Sequence, residues 1–458
     1  MRRRILTDGL QAVKLVPLAI LLPLALGTGS GWAIQPRGDL RLLAILAAFP
    51  DRPLDHERDH FAGLLDRFVA YYREVSAGRL ALHPTIGSAV ATLPAPRATY
   101  VQRPDALAAD AITAFAAATG GDPAGVEALG SADALVVFFA GPGRESHVEG
   151  GDPNDPWSNY TPLVPPPGTT RLREACVIAE EEVPPFSNFG VLCHEFGHLL
   201  GLPELYAPGG LPQEGIGVWG LMGQGTWLGL GERPPHLSAW SKLRLGWVDV
   251  ETIERTTHGV RLPAVEEVPR VVRIPASQRR PEEYYLLENR ARIGADASLP
   301  GEGLLVWHVD ETVAGFRTAE SVAAHKLLHL VEADGRGDLD RGHRAGGNRG
   351  DRTDPFQGPP PWRGRAAAIA AFLGALLLAG AILRGVRARA FPAVLAPLGA
   401  AALVLAAAAW LGRGPVCGRG MPGMAPYDGS PVRVAIRNIS PAGRLMSFDV
   451  WVAPAEEH

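Results

Sequence analysis

The chain has 458 residues and a formal net charge of −4, so its charge gives no signal for binding nucleic acid or an anionic surface. This length is enough for two or three domains with a sizeable core. The 41 prolines and 54 glycines favour turns and loops over a helical bundle. Three cysteines are too few for a disulfide framework, and both a single Cys176–Cys193 bridge and two buried thiols stay open.

Residues 1–33 have the pattern of an export signal. A basic start, MRRR, precedes the apolar run LVPLAILLPLALG, and small residues follow near Ala33. This order predicts a cleaved signal peptide, with an uncleaved signal anchor as the alternative. Either form places most of the chain outside the cytoplasm.

Residues 34–258 alternate between strand patterns and helix patterns. Apolar residues recur at helical spacing over 59–75, an alanine-rich helix is predicted over about 105–119, and DALVVFFAGPG is typical of a buried strand. This alternation predicts an α/β domain. From about Pro263 onward, short strand-like runs broken by turns predict a β-rich domain over 259–458. The predicted fold class is therefore α+β.

The segment VLCHEFGHLLGLPELY carries the clearest chemical pattern in the chain. His194 and His198 are four residues apart, so one face of a helix presents two imidazoles to the same metal ion. Glu195 follows the first histidine and lies close enough to hold a water molecule at that ion. The alternative is a surface helix with two ordinary histidines.

A catalytic zinc ion needs a third protein ligand, and the helix itself does not supply one. Gly201 is suited to turn the chain at the end of the helix. Glu204 stands three residues further on, where the turn can bring its carboxylate back beneath the histidines. Downstream, Met222 in GVWGLMGQGTW is placed to form an apolar floor under the metal.

Several blocks of the chain between residues 41 and 452 resemble the immune inhibitor A-type metalloproteases, a secreted bacterial family among the metzincin-like zinc peptidases. The blocks occur in the order of that family: SNFGVLCHEFGHLLGLPELY, GVWGLMGQGTW, HLSAWSKLRLGWV, YYLLENR, GLLVWHVDE, LHLVEADG and MSFDVWV. The resemblance implies a metzincin-like catalytic domain followed by a sandwich-like β domain. It also implies one Zn²⁺ on His194 and His198, with Glu195 as the catalytic acid and base. The family usually has aspartate where this chain has Glu204.

The implied activity is a zinc-dependent endopeptidase that cleaves proteins or peptides outside the cytoplasm with a zinc-activated water and a glutamate base. One alternative is an inactive protease fold that binds a surface partner. Another is a zinc amide hydrolase that acts on cell-wall material. Two further assignments stay open: Tyr206 as a stabiliser of the oxyanion, and Cys417 as a thiolate latch on the zinc.

The run EADGRGDLDRGHRAGGNRGDRTD is dense in aspartates. Carboxylate oxygens at Asp334, Asp338 and Asp340 make a candidate Ca²⁺ site. The run is also rich in arginine and matches no regular calcium loop, so a solvated loop is the favoured alternative.

Residues 366–412 contain two long uncharged stretches separated by three arginines, at Arg384, Arg387 and Arg389. Each stretch is about long enough to cross a bilayer. The pattern predicts a transmembrane helical hairpin inserted into the β-rich domain, with a buried alanine-rich helical pair as the alternative. The expected location is the outer face of the cytoplasmic membrane or the cell envelope, and membrane lipid joins peptide substrates as an expected partner.

Overall fold

The architecture is known for most of the chain between residues 34 and 453. The computed structural model describes residues 34–120, 122–147, 151–164, 172–207, 213–277, 279–313, 325–341, 346–359, 369–376, 378–379, 402–404, 417 and 424–453. It contains three β-sheets with helices packed on the first, which agrees with the predicted α+β class.

The first sheet has five strands in the order β2-β1-β3-β5-β4. The strands are β1 (Gly38–Ala48), β2 (Leu80–Thr92), β3 (Ala134–Pro142), β4 (Asn159–Pro162) and β5 (Glu174–Glu181). The neighbours β2, β1, β3 and β5 run parallel, whereas β4 pairs antiparallel with β5. Parallel neighbours need crossover connections, and helices supply those from β1 to β2 and from β2 to β3.

Both faces of this sheet are covered, because alternate residues of a strand point to opposite sides. In β1, Leu42, Ala44 and Leu46 belong to one hydrophobic cluster, with α1 (Arg58–Val75) and α4 (Phe189–Leu199). Leu43, Ile45 and Ala47 belong to a second cluster, with α2 (Pro104–Ala118). Two shorter helices complete this half, α3 (Pro123–Ser131) and α5 (Ala239–Arg244).

The β-rich half contains two further sheets. One has the order β11-β10-β9-β8-β6, and the other has the order β12-β13-β7. Their bounds are β6 (Asp249–Thr252), β7 (Thr257–Pro263), β8 (Arg270–Pro275), β9 (Glu283–Arg290), β10 (Gly303–Asp310), β11 (Leu328–Leu330), β12 (Val434–Arg437) and β13 (Leu445–Val452). Strand β6 pairs with β8, so the second sheet begins before the predicted boundary at 259.

The second sheet contributes to two different cores. Tyr285 and Leu287 of β9 pack in a cluster with Phe448 and Val450 of β13, between the second and third sheets. Leu286, on the opposite face of β9, joins the cluster that contains α1 and α4. The two halves of the chain therefore share a continuous core, and the second sheet supports the elements beneath α4.

Two predicted segments fall largely or wholly outside the described residues. The export signal, residues 1–33, lies outside them, and so does most of the hairpin, residues 366–412. Within that hairpin, residues 369–376 and 402–404 are helical. Among the helices of the described residues, none has both the length and the apolar character required to cross a membrane.

Candidate active site

Helix α4 is fixed at both ends. Just before it, the Asn188 side-chain amide donates hydrogen bonds of 2.9 Å to the carbonyl oxygens of Ala179 and Glu180, at the end of β5. After it, Gly201 has a φ of +88°, a left-handed conformation that glycine adopts without a Cβ clash. The chain therefore turns sharply just after His198 and heads back towards the helix.

The two histidines of α4 are oriented by backbone carbonyl groups. His194 Nδ1 lies 2.9 Å from the Leu221 carbonyl oxygen, and His198 Nδ1 lies 2.8 Å from the Leu202 carbonyl oxygen. A carbonyl oxygen only accepts, so each Nδ1 carries a proton and each Nε2 is the nitrogen that faces the site. The two Nε2 atoms face each other at 3.1 Å, so a proton or a metal ion can lie between them.

Glu204 completes a triangle with these nitrogens. One carboxylate oxygen lies 3.2 Å from His194 Nε2 and the other lies 3.2 Å from His198 Nε2. Tetrahedral zinc with bonds of about 2.0 Å holds its ligand atoms about 3.3 Å apart, so the triangle has the right size. Glu204 Oε2 is also buried without a hydrogen-bond donor. The donor set and its spacing therefore fit a zinc ion, and these three residues could hold a metal.

The charges of the triangle favour a bound cation. Burial opposes a charge on His198, but the carboxylate of Glu204 outweighs it and raises the pKa of this histidine to about 9. The same balance raises the pKa of His194. Burial likewise opposes the ionisation of Glu204, yet the two histidines hold its pKa well below the usual range. The negative carboxylate thus draws positive charge to the point where the three side chains meet.

Glu195 lies beside the triangle and is held from the edge strand of the first sheet. The backbone N–H of Tyr160, in β4, donates a 2.6 Å hydrogen bond to Glu195 Oε2. The other oxygen, Oε1, has no hydrogen bond to any part of the chain that the structure describes. Burial raises the pKa of this carboxyl group, with the neighbouring histidines acting against the shift. One oxygen is therefore anchored and the other is free for chemistry.

The floor of the site comes from the segment around Met222. This methionine is fully buried, and its sulfur packs so closely on Gly197 that a Cβ there would lie 2.5 Å from it. Its carbonyl oxygen accepts a 2.9 Å hydrogen bond from the Leu205 backbone N–H, next to Glu204. Thr226 Oγ1 lies 2.9 Å from His194 Nδ1. One loop thus supports both the first histidine and the turn that carries Glu204.

Comparison with known families agrees with this geometry. Residues 173–248 match the catalytic-domain model of the immune inhibitor A peptidase family, M6. This segment is similar to the catalytic domain of the immune inhibitor A peptidases. The matched residues include β5, α4, the triangle, Met222 and α5. No curated protein matches the chain. This match confirms the resemblance found in the sequence and supports a metallopeptidase.

The remaining candidate residues around this site have other contacts. Tyr206 donates a 2.8 Å hydrogen bond from its hydroxyl group to Glu204 Oε1, so it braces the carboxylate. Cys176 and Cys193 are buried free thiols, which excludes the bridge between them in this structure. Cys417 is buried in the core between the second and third sheets, beside Met424. The latch prediction for Cys417 is therefore wrong, because packing in that core removes its sulfur from the site.

The predicted calcium residues separate in the structure. Asp334 and Asp338 lie together with Asp351, in a group whose ligand atoms are within 4.8 Å of one another. Asp340 instead forms an ion pair with Lys326 and belongs to neither of the acidic groups found in the described chain. The three residues predicted from the sequence therefore do not form one site.

Sequence reasoning missed the groups that orient the site. Tyr160 acts through its backbone N–H, and Leu202 and Leu221 act through their carbonyl oxygens. Almost any residue type can supply a backbone N–H or carbonyl group, so no sequence motif could predict these contacts. Thr226 was also missed, although it lies four residues after Met222 in the same segment, GVWGLMGQGTW.

Proposed function

We propose that this metallopeptidase is a zinc-dependent endopeptidase that cleaves proteins outside the cytoplasm. The observation that carries the proposal is the triangle of two histidine Nε2 atoms and a carboxylate, with edges of 3.1 to 3.2 Å. A half-buried glutamate with one free oxygen stands next to it. Two neutral ligands and one anionic ligand leave a divalent ion with net positive charge.

His194, His198 and Glu204 would hold the zinc, and each is oriented by a second group. The carbonyl oxygens of Leu221 and Leu202 keep the imidazole protons on Nδ1, which leaves Nε2 free to bind. When bound, zinc supplies Lewis acidity that lowers the pKa of a water molecule and polarises the scissile carbonyl group. The role of the protein is to hold the positively charged ion next to a base.

Glu195 is the base in this mechanism. Because the Tyr160 N–H fixes Oε2, Oε1 can take the proton of the attacking water and then deliver it to the leaving nitrogen. Met222 is fully buried and packs against Gly197 of the helix, which gives the site an apolar floor.

A digestion experiment tests this function. The purified full-length chain should cleave casein at internal bonds, lose that activity with a zinc chelator, and recover it with about one equivalent of zinc. His194→Ala and His198→Ala should lose both zinc and activity. Terminal trimming alone would contradict the endopeptidase assignment. Hydrolysis of cell-wall amides with casein left intact, or zinc binding with no hydrolysis, would favour the other two functions.

Export and membrane attachment belong to the same proposal. The support is the signal pattern of residues 1–33 and the two apolar stretches of residues 366–412. The protein should stay with membranes after an alkaline carbonate wash, and deletion of residues 366–412 should release it with activity retained. Labelling of a cysteine in the 384–389 loop from outside the cell would argue against the transmembrane hairpin. An uncleaved signal anchor is checked separately, by sequencing the mature N-terminus.

A further inference from the structure

A buried ion pair lies beneath the loop that carries Met222, residues 217–227, which is called the floor loop below. Arg290 ends β9 of the second sheet, Asp296 lies in the turn that follows, and both side chains are fully buried. Arg290 donates to the two Asp296 oxygens at 2.5 and 2.7 Å. Burial opposes the ionisation of Asp296, yet Arg290 holds its pKa well below the usual range. The pair is therefore ionic, although it is excluded from solvent.

This ion pair contacts the floor loop by two routes. Directly, Arg290 Nη1 donates a 3.1 Å hydrogen bond to the Trp219 carbonyl oxygen. Indirectly, Asp296 Oδ1 accepts a 2.9 Å hydrogen bond from the His236 backbone N–H. The His236 carbonyl oxygen in turn accepts a hydrogen bond from the Leu221 N–H at 3.3 Å. Two residues of the floor loop, Trp219 and Leu221, are thus held from one ion pair.

Leu221 connects the ion pair to the first proposed zinc ligand. Its N–H is held through His236, and its carbonyl oxygen lies 2.9 Å from His194 Nδ1. The Thr226 hydroxyl group, also in the floor loop, lies 3.1 Å from the same carbonyl oxygen and 2.9 Å from the same imidazole nitrogen. A continuous chain of hydrogen bonds therefore leads from Asp296 to the group that orients His194.

Stability alone does not account for this arrangement. Arg290 also lies 3.3 Å from Glu288 and 3.5 Å from Glu266. The Oε2 atoms of both glutamates and His236 Nδ1 are buried without a hydrogen-bond partner in the part of the chain that the structure describes. Buried ion pairs are often no more stabilising than apolar side chains of similar volume. A network with unsatisfied atoms is better explained by the geometry that it imposes on its neighbours.

We propose that Arg290 and Asp296 are positioning residues for the zinc site, acting on His194 through the floor loop. The inference rests on the proposed function, because it needs a zinc ion bound to His194. The planar fork of an arginine can hold a carboxylate and a carbonyl oxygen in one fixed arrangement. The second sheet supplies none of the three proposed ligands, but it would determine how well the first of them is oriented.

Zinc competition and cobalt spectroscopy on the full-length chain test this role. Combining Arg290→Met with Asp296→Leu removes both charges together, so the fold should survive. The hydrogen bonds to Trp219 and His236 are lost with them. Zinc affinity, measured against a chromophoric chelator, should fall about tenfold, the lower end of the range usual for groups that orient a ligand. The visible absorption bands of bound Co²⁺, which report the geometry of the ligands, should shift.

A second ion pair provides the matched control. Arg280 and Asp310 lie 2.6 Å apart in the same half of the chain, and Asp310 is fully buried. The Asp310 carboxylate has side-chain partners in Arg280, Thr312 and His325, and none of these has a hydrogen bond to the floor loop within the described residues. Combining Arg280→Met with Asp310→Leu should leave the zinc affinity and the Co²⁺ spectrum unchanged, while circular dichroism shows a folded chain.

Arg290→Lys keeps the test decisive if the double variant does not fold. Lysine retains the positive charge beside Asp296 but lacks the fork that also reaches the Trp219 oxygen. Zinc affinity should fall about threefold or more, and hydrogen exchange of the floor loop should rise in the metal-free protein, a result that does not depend on zinc.

Two outcomes would overturn the positioning role alone. One is a wild type that binds zinc and an Arg290→Lys variant that matches it in zinc affinity and in hydrogen exchange. The other is an equal loss of zinc affinity in the control with both Arg280 and Asp310 replaced, which would make the effect one of general destabilisation. A wild type that binds no zinc would instead refute the proposed function, and this inference with it.

Discussion

The Tyr206 hydroxyl group should strengthen zinc binding, because it orients Glu204, the third proposed ligand. It donates a 2.8 Å hydrogen bond to Glu204 Oε1, and Tyr206→Phe removes this one atom. A hydrogen bond to a charged group contributes about 1.5–3 kcal/mol. Because about 1.4 kcal/mol corresponds to a factor of ten, the loss converts to a zinc affinity about 10- to 100-fold weaker, the range usual for groups that orient a ligand. Activity at saturating zinc should stay near the wild-type value.

The assay is competition for zinc against a chromophoric chelator, followed by kcat measurements on fully loaded protein. Tyr160→Phe is the matched control, because its hydroxyl group donates to Glu174 at 2.6 Å and its backbone contact with Glu195 survives the change. Unchanged zinc affinity with a large fall in kcat for Tyr206→Phe would refute the reasoning. That outcome would instead support Tyr206 as a stabiliser of the oxyanion.

Three further predictions concern close packing, a buried ion pair and the accessibility of the cysteines. Gly190→Ala should cost about 3 kcal/mol in urea unfolding, since the new Cβ would lie 2.0 Å from the backbone oxygen of Thr226; a wild-type midpoint would contradict this close approach. Asp296→Ala should cost about 3–5 kcal/mol, because fully buried Arg290 loses partners at 2.5 and 2.7 Å; an equally stable variant would show that the remaining acids compensate. A thiol reagent should find no reactive cysteine in the native protein and three after unfolding, since all three thiols are free and buried; fewer than three would reveal a disulfide.

Periodic patterns predicted the helices of the first domain well. The predicted helix over 59–75 is observed at Arg58–Val75, and the alanine-rich helix is observed at Pro104–Ala118. Spacing along one helix also predicted that His194 and His198 share a face, and the structure brings Glu204 to them. These successes have one cause. Each depends on residues close in the sequence, where local geometry is determined by 3.6 residues per turn.

Long-range contacts could not be predicted in the same way. Tyr160 reaches Glu195 from 35 residues away, and Leu221 reaches His194 from 27 residues away. Both act through backbone atoms, which any residue carries. The acidic loop shows the same limit. Its composition favoured a solvated loop over a calcium site at Asp334, Asp338 and Asp340, whereas the structure groups Asp334 and Asp338 with Asp351 and pairs Asp340 with Lys326.

The most direct test of the proposed mechanism is the Glu195→Gln variant at equal zinc content. Glutamine has the same shape and can still accept the Tyr160 N–H bond, but it cannot take a proton from water. Zinc per chain should match the wild type, at about one, while cleavage of an internal peptide bond should fall by about 10²- to 10⁴-fold. Cleavage at the wild-type rate with zinc still bound would contradict Glu195 as the base and, with it, the proposed mechanism.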